Sequence, residues 1–144
     1  MAYPGFTSVR AYFRTQLSAL GFTEWKDVFN VDNIPSTKLD KSFHLSAPTG
    51  TRRDVYDMQS QDVECEIIVR TVRKGYNDPA AAVDQCVVDL DDIIHRCLDA
   101  SRRFSVSGVK NIYYSGHTIE PVDSTNDNVA VLEITFTCLI VICI

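Results

Sequence analysis

The sequence is short of basic charge and has none of the short motifs that mark common enzymes. Its 14 Lys and Arg residues stand against 19 Asp and Glu, a formal net charge of -5, whereas nucleic-acid binding needs many cationic contacts to phosphates. It contains no phosphate-cradling glycine loop, no GxGxxG, no GxSxG and no HExxH. We therefore expect no specific nucleic-acid site, no cofactor and no enzymatic activity.

The number and spacing of the cysteines indicate neither disulfide bonds nor a zinc site. The chain has five, an odd number, without a CxxC motif, which argues against a disulfide framework and against a zinc site. The first residues lack the apolar segment of a secretory signal. We expect a chain that folds in a reducing cytoplasm and buries its thiols as small apolar groups. The five are Cys65, Cys86, Cys97, Cys138 and Cys143.

No apolar run has the length of a membrane-spanning helix. The strongest candidate, residues 129–144, is shorter than the about 20 residues required and carries Glu133 and Thr135. Its last part, LIVICI (139–144), has high β propensity and no charge, proline or glycine, a pattern that aggregates at an open sheet edge. Two arrangements would cover this run, separately or together: a central place in the sheet and a neighbouring subunit.

Hydrophobic periodicity predicts one α+β domain over residues 1–144. The expected fold is an antiparallel or mixed sheet of about four strands packed against two main helices. The predicted helices cover about residues 8–20, with Thr7 or Ser8 as the cap, and 79–100, with Asp78 as the cap. The predicted strands cover about residues 42–46, 62–73, 109–120 and 129–144.

Residues 47–61 are polar and predict a long exposed loop or hairpin arm. Segments of this kind within a compact domain often carry contacts, so the arm is the first candidate for a subunit or partner surface. The candidate contact residues are Arg52, Arg53, Asp54, Tyr56 and Met58.

The strand predicted at 62–73 carries acids on one face and apolar residues on the other. Asp62, Glu64 and Glu66 alternate with the apolar positions, which predicts a solvated or lumen-facing acidic stripe. A different reading makes the chain a small ligand-binding or enzymatic domain, with His44, His95 or these acids in a pocket.

Short motifs along nearly the whole chain form a characteristic series. The first helix ends in Leu20-Gly21-Phe22, and a later segment reads Asn33-Ile34-Pro35-Ser36-Thr37, Leu39-Asp40 and Ser42-Phe43-His44-Leu45. The central strand ends in Arg70-Thr71-Val72-Arg73-Lys74-Gly75-Tyr76, and the next helix opens with Asp78-Pro79. These motifs, together with the order of helix, short strand, arm, strand, helix and two strands, resemble the tail terminator (tail completion) proteins of long-tailed bacteriophages.

This resemblance implies a structural virion protein of the tail neck, assembled in the host cytoplasm. Such subunits form a ring, expected to be a homohexamer, that caps the tail tube, stops its polymerisation and docks the head-tail connector. The implied partners are copies of the chain, the tail tube protein and the connector or stopper protein, while DNA passes through the lumen without specific binding. The family has no catalytic residues to carry over. The alternative within the same particle is another neck ring, a stopper or an adaptor.

Overall fold

The computed structural model describes residues 5–25, 39–55, 60–76, 78–106, 108–123 and 128–143. In these ranges the chain forms one mixed sheet of six strands, together with three helices. The helices are α1 (Phe6–Ala19), α2 (Pro79–Leu98) and α3 (Ala100–Arg103). The strands are β1 (Thr23–Glu24), β2 (Ser42–Leu45), β3 (Thr49–Val55), β4 (Ser60–Tyr76), β5 (Val109–Asp123) and β6 (Asn128–Cys143).

The long strands β4 and β6 form the centre of the sheet. They pair antiparallel from Ser60 opposite Cys143 to Tyr76 opposite Asn128. The strand order is β1-β2-β4-β6-β5, and β3 also pairs with β4. β2 pairs with residues 69–72 of β4 and β3 with residues 61–66, so these two short strands follow one another along the same edge. Only β1, which runs parallel to β2, departs from antiparallel pairing in the described sheet.

Local chemistry sets the ends of both long helices. α1 ends in a Schellman motif, in which Gly21 has a positive φ of 90° and Phe22 N donates to Leu17 O. α2 begins at the predicted cap, because the Asp78 carboxylate accepts a hydrogen bond from Ala80 N at 3.1 Å. The cap predicted for α1 was wrong: the residue that precedes this helix is Gly5, and within the described residues no side chain caps it.

The main core lies between the two long helices and one face of the sheet, which we call the inner face. It consists of alternate residues of β4 and β6, packed against apolar residues of α1 and α2. The face of β4 predicted to be apolar is confirmed for Val63, Cys65, Ile67, Val69 and Thr71, which are all buried. The largest fully buried side chains include Phe13, Leu17, Ile67, Ile93, Leu132, Ile134 and Phe136.

The predicted α+β class is confirmed, but the sheet has six strands rather than about four. The two additional strands are β1, with two residues, and β3, which falls within the segment predicted to be a loop or hairpin arm. Residues 49–51 of β3 are exposed at the sheet edge. The sequence of β3, TGTRRDV, lacks the apolar alternation that identifies strands in sequence.

The apolar run at the end of β6 lies in the interior of the sheet. β4 and β5 flank it on either side, with Leu139 opposite both Glu64 and Asn111, and Ile140 opposite both Val63 and Val109. Of the two arrangements that would cover this run, the structure shows the central one for Leu139 and Ile140. Residues 141–143 pair with β4 on one side, and on the other side Val141 N donates to Gly108 O.

Candidate functional site

The opposite side of the sheet, which we call the open face, is the candidate functional surface. The described helices pack on the inner face, so the open face carries no helical layer in the described part of the chain. A small second cluster covers one end of it, where Leu39, Val72 and Val129 are buried against Trp25 and neighbouring valines. The rest of the open face presents polar and partly apolar side chains from β4, β6 and β5.

The predicted acidic stripe lies on this open face, but only part of it is solvated. Glu64 and Glu66 are exposed, as predicted. Asp62 is only 4% exposed, and its carboxylate oxygen Oδ1 lies 3.0 Å from Lys110 Nζ of β5. The stripe was predicted to be solvated or to face a lumen. Asp62 is not solvated, because Lys110, distant in sequence, reaches across β6 to pair with it.

A second ion pair on the open face joins β4 to β6. Arg70 and Glu133 stand directly opposite one another, and Arg70 Nε contacts Glu133 Oε1. Beside them lies an open depression of about 340 Å³ with hydroxyl and carboxylate groups in its wall. Its lining residues are Glu66, Ile68, Ser115, Gly116, His117, Thr118, Glu133 and Thr135. This part of the open face is acidic and rich in hydroxyl groups.

The backbone of the predicted arm lies next to the acidic stripe. Arg52 pairs with Val63 and Asp54 with Asp62, and the register shifts between these two pairs because Arg53 forms a β-bulge. The two groups of predicted site residues are thus brought together on neighbouring strands. Tyr56 and Met58 lie outside the described residues, as do the side chains at positions 52–54.

Sequence analysis missed the exposed aromatic residues of the edge strand β5. Tyr113 is 46% exposed and Tyr114 is 40% exposed, and the Tyr114 hydroxyl hydrogen-bonds to His117 Nδ1. Tyrosine is enriched in protein interfaces because its ring is apolar and its hydroxyl is polar. Two adjacent tyrosines within a predicted strand could have indicated this surface. Adjacent strand residues point to opposite faces of the sheet, so at least one of the two tyrosines must lie outside the core.

The edge strand β5 also carries features that limit uncontrolled pairing. Its register with β6 shifts between Val109 and Asn111 and again between Tyr114 and Gly116, and Pro121 lies near its end. Bulges and proline at a sheet edge hinder the addition of arbitrary strands. Any partner at this edge must therefore match an irregular surface, which favours a specific contact.

The described cysteines are buried, and their thiols are unreactive at neutral pH. Cys65, Cys86, Cys97 and Cys138 are free thiols in the core, as predicted, and the Cys143 side chain lies outside the described residues. Burial raises the pKa of Cys65 to about 11 and the pKa of Cys97 to about 12. At neutral pH these thiols stay protonated and are poor nucleophiles.

The three histidines are separated from one another. His44 lies on β2, His95 is exposed on α2, and His117 is on β5. Among the described residues, no group of three or more His, Cys, Asp or Glu side chains is placed to hold a metal ion. The helices of the described ranges are also too short or too polar to cross a membrane.

Comparisons with known proteins assign no family to the chain. Neither the protein-family models nor the curated proteins include a match to it. The tail terminator interpretation therefore rests on the short motifs and on the geometry of the open face.

Proposed function

We propose that the chain is a structural subunit of a ring that caps a phage tail tube, with the open face of its sheet turned toward the lumen. The observation that carries this proposal is the exposed pair Glu64 and Glu66 on a sheet face without a helical layer in the described chain. Together with the net charge of -5, these carboxylates repel the phosphates of passing DNA and keep it from adhering to the wall.

The proposed subunit contacts lie at the two edges of the sheet. β3 lies along one edge of β4, and β5 is the outer strand on the other side of β6. A contact that joins the β3 edge of one subunit to the β5 edge of the next is head-to-tail, and repeated head-to-tail contacts close into a ring when the rotation between subunits allows it. Tyr113 and Tyr114 supply exposed aromatic surface at the β5 edge.

The position of β6 between β4 and β5 bears on where the subunit contacts lie. An apolar terminal strand at an open edge would itself have required a neighbouring subunit, but β6 is paired on both sides as far as Ile140, and only residues 141–143 have β4 as their one strand partner. The ring contacts are therefore assigned to the edges and to the tyrosines.

The decisive experiment is the mass of the purified protein by light scattering, alone and with isolated tail tubes. We expect a species of six times the 16.2 kDa chain mass, or a monomer that becomes a ring on tube ends. Replacing Tyr113 and Tyr114 with serine is expected to reduce assembly. The matched control is Val88→Ser on α2, which removes a 50% exposed apolar side chain from another surface. A monomer that ignores tubes at all concentrations would contradict the proposal.

Two other functions remain as alternatives. A stopper or adaptor ring of the same neck would assemble similarly, and cross-linking to identify the neighbouring proteins separates it from a terminator. A small ligand-binding domain is favoured by a different observation, the pocket that His44 lines together with Arg10 and Arg14.

A further inference from the structure

An open pocket of about 400 Å³ lies between α1 and the β1 side of the sheet. Arg10 and Arg14 project into it from α1, while Glu24, Trp25 and His44 come from β1, the residue after it, and β2. No element of the proposed ring contacts lines this pocket. It is a separate feature of the molecule, and the inference drawn from it does not depend on the proposed function.

The pocket exists because β1 ends before β2 does. Lys41 O and Phe43 O accept hydrogen bonds from Thr23 N and Trp25 N, respectively. The next carbonyl in this row, Leu45 O, instead accepts a hydrogen bond from Arg10 Nη2 at 3.2 Å. The guanidinium thus occupies the place that a longer β1 would fill, and this hydrogen bond fixes its position at the sheet edge.

Two N–H groups at the pocket are buried without an acceptor. Arg10 Nε and Trp25 Nε1 have almost no solvent contact, and neither finds a hydrogen-bond partner within the described part of the chain. Buried donors are nearly always satisfied in folded proteins, because an unmade hydrogen bond costs the full desolvation of the donor. Two such donors from different segments at one pocket indicate an acceptor group that binds there.

Among the described residues of the pocket wall, one positive charge is in excess. Arg14 Nε lies 3.0 Å from both carboxylate oxygens of Glu24, so these two charges offset one another. Arg10 has no carboxylate partner among the described residues. Burial, followed by the positive charges of Arg70 and Arg10, lowers the pKa of His44, with Glu24 acting in the opposite direction. His44 is therefore neutral at pH 7, and Arg10 carries the excess charge.

We propose that this pocket binds a carboxylate group, which accepts hydrogen bonds from Arg10 Nε and the indole N–H of Trp25. A single negative charge matches the single excess positive charge of the wall. A phosphate dianion brings a second negative charge next to Glu24, and a neutral amide gains no charge-assisted hydrogen bond. The carboxylate comes either from a small free acid or from an acidic side chain or chain terminus of another polypeptide.

Trp25 makes the proposal directly measurable, because it is the single tryptophan of the chain. Its indole N–H gives one resolved signal in a ¹H–¹⁵N spectrum. We expect propionate to shift this signal in a saturable manner, while its neutral isostere propionamide leaves it unchanged and inorganic phosphate binds more weakly. Equal shifts with propionate and propionamide, no shift with propionate, or tighter binding of phosphate would each overturn the proposal.

A substitution tests the role of Arg10. Arg10→Gln is expected to weaken propionate binding by about tenfold or more, since it removes a charged donor. Arg102→Gln on α3 is the control for loss of one positive charge elsewhere and is expected to bind as the wild type does. Because Arg10 also holds the edge of β2, Arg10→Lys provides a second variant that keeps the charge but lacks Nε–H, and the amide spectrum confirms that each variant is folded. Unchanged binding in both folded variants would overturn the assignment.

The source of the carboxylate is decided by a second pair of ligands. A short peptide with a free C-terminal carboxylate is compared with the same peptide ended by an amide, and a peptide with an internal Asp is compared with its Asn form. Tighter binding of an acidic peptide than of propionate identifies a polypeptide as the ligand. Equal or weaker binding identifies a small acid. Both results support a carboxylate site, and a failure of the ring proposal would alter neither.

Discussion

Arg73 and Asp89 form a two-pronged ion pair that ties β4 to α2. Arg73 Nε donates to Asp89 Oδ2 at 2.6 Å and Arg73 Nη2 to Asp89 Oδ1 at 2.8 Å. The Asp89 side chain is only 3% exposed. The hydrogen bond between the two side chains raises the pKa of Arg73 above its usual value. The pair fixes the rotation of α2 on the inner face of the sheet.

We expect Asp89→Asn to lower the free energy of unfolding by about 3 kcal/mol, because it removes the buried carboxylate of the pair and leaves Arg73 only the more exposed Asp40, 3.8 Å away, as a charged partner. Urea denaturation at neutral pH measures this loss. The control is Asp92→Asn, at an exposed position of the same helix, with an expected change within about 0.5 kcal/mol. Similar stabilities of the two variants would show that the buried pair does not stabilise the fold.

Two glycines provide a matched test of backbone crowding. A Cβ at Gly75 would overlap the backbone carbonyl oxygen of Asp78 in the turn that leads into α2, whereas a Cβ at Gly116 meets nothing within 4 Å. We expect Gly75→Ala to destabilise the protein by about 2–3 kcal/mol, since backbone rather than a side chain must move. Gly116→Ala is expected to change stability by less than about 1 kcal/mol. Thermal unfolding of both variants checks this order, and a reversed order would contradict it.

Charge reversal tests whether the open face is built to repel DNA. The double variant Glu64→Lys and Glu66→Lys is expected to bind duplex DNA at low salt and to lose that binding as salt is raised, with a slope set by the number of phosphates contacted. The double variant Glu64→Gln and Glu66→Gln removes the negative charges without adding positive ones. It is expected to bind DNA far more weakly than the double lysine variant. Fluorescence anisotropy with labelled DNA gives both affinities. Tight DNA binding by the wild-type protein would count against a repelling face.

His44 gives the stability a defined pH dependence. Its pKa in the folded chain is lowered from 6.5 by burial and by Arg70 and Arg10, so the unfolded chain takes up the proton first as pH falls. Its contribution to stability is complete above about pH 6.5 and is lost as the pH drops from there through the folded pKa. We expect His44→Gln to remove this part of the acid sensitivity. The control is His95→Gln, on the exposed side of α2, which is expected to keep the acid sensitivity of the wild type. Urea denaturation at several pH values measures the stability of both variants.

The long central strands were predictable from sequence, whereas the sheet edges were not. Ile67 and Ile134 belong to strands with one buried face, and that face produces the alternation from which β4 and β6 were inferred. Thr49 and Thr51 of β3 are exposed, so no such pattern marks their strand. β1 has only two residues, which is too short for any periodicity to be recognised.

The candidate sites were predictable only where one segment supplies the residues. Glu64 and Glu66 lie on the same strand, so their common face follows from the pleat. The burial of Asp62 depends on Lys110, which is 48 residues away. The pocket proposed to bind a carboxylate is lined by residues of α1, β1, β2 and the residue after β1. Such contacts depend on the tertiary fold, and local periodicity carries no information about them.

The strand order has a consequence for how the chain reaches its fold during synthesis. β4 and β5 both precede β6 in the chain, yet in the sheet β6 separates them. Until the ribosome has released β6, neither of its neighbours has its partner on that side, and the inner-face residues of β4 lack half of their core. The sheet therefore closes in one late step that joins distant segments, which is expected to be slow. A chaperone that binds β4 on the nascent chain would protect the unpaired edge of this strand until β6 has been synthesised.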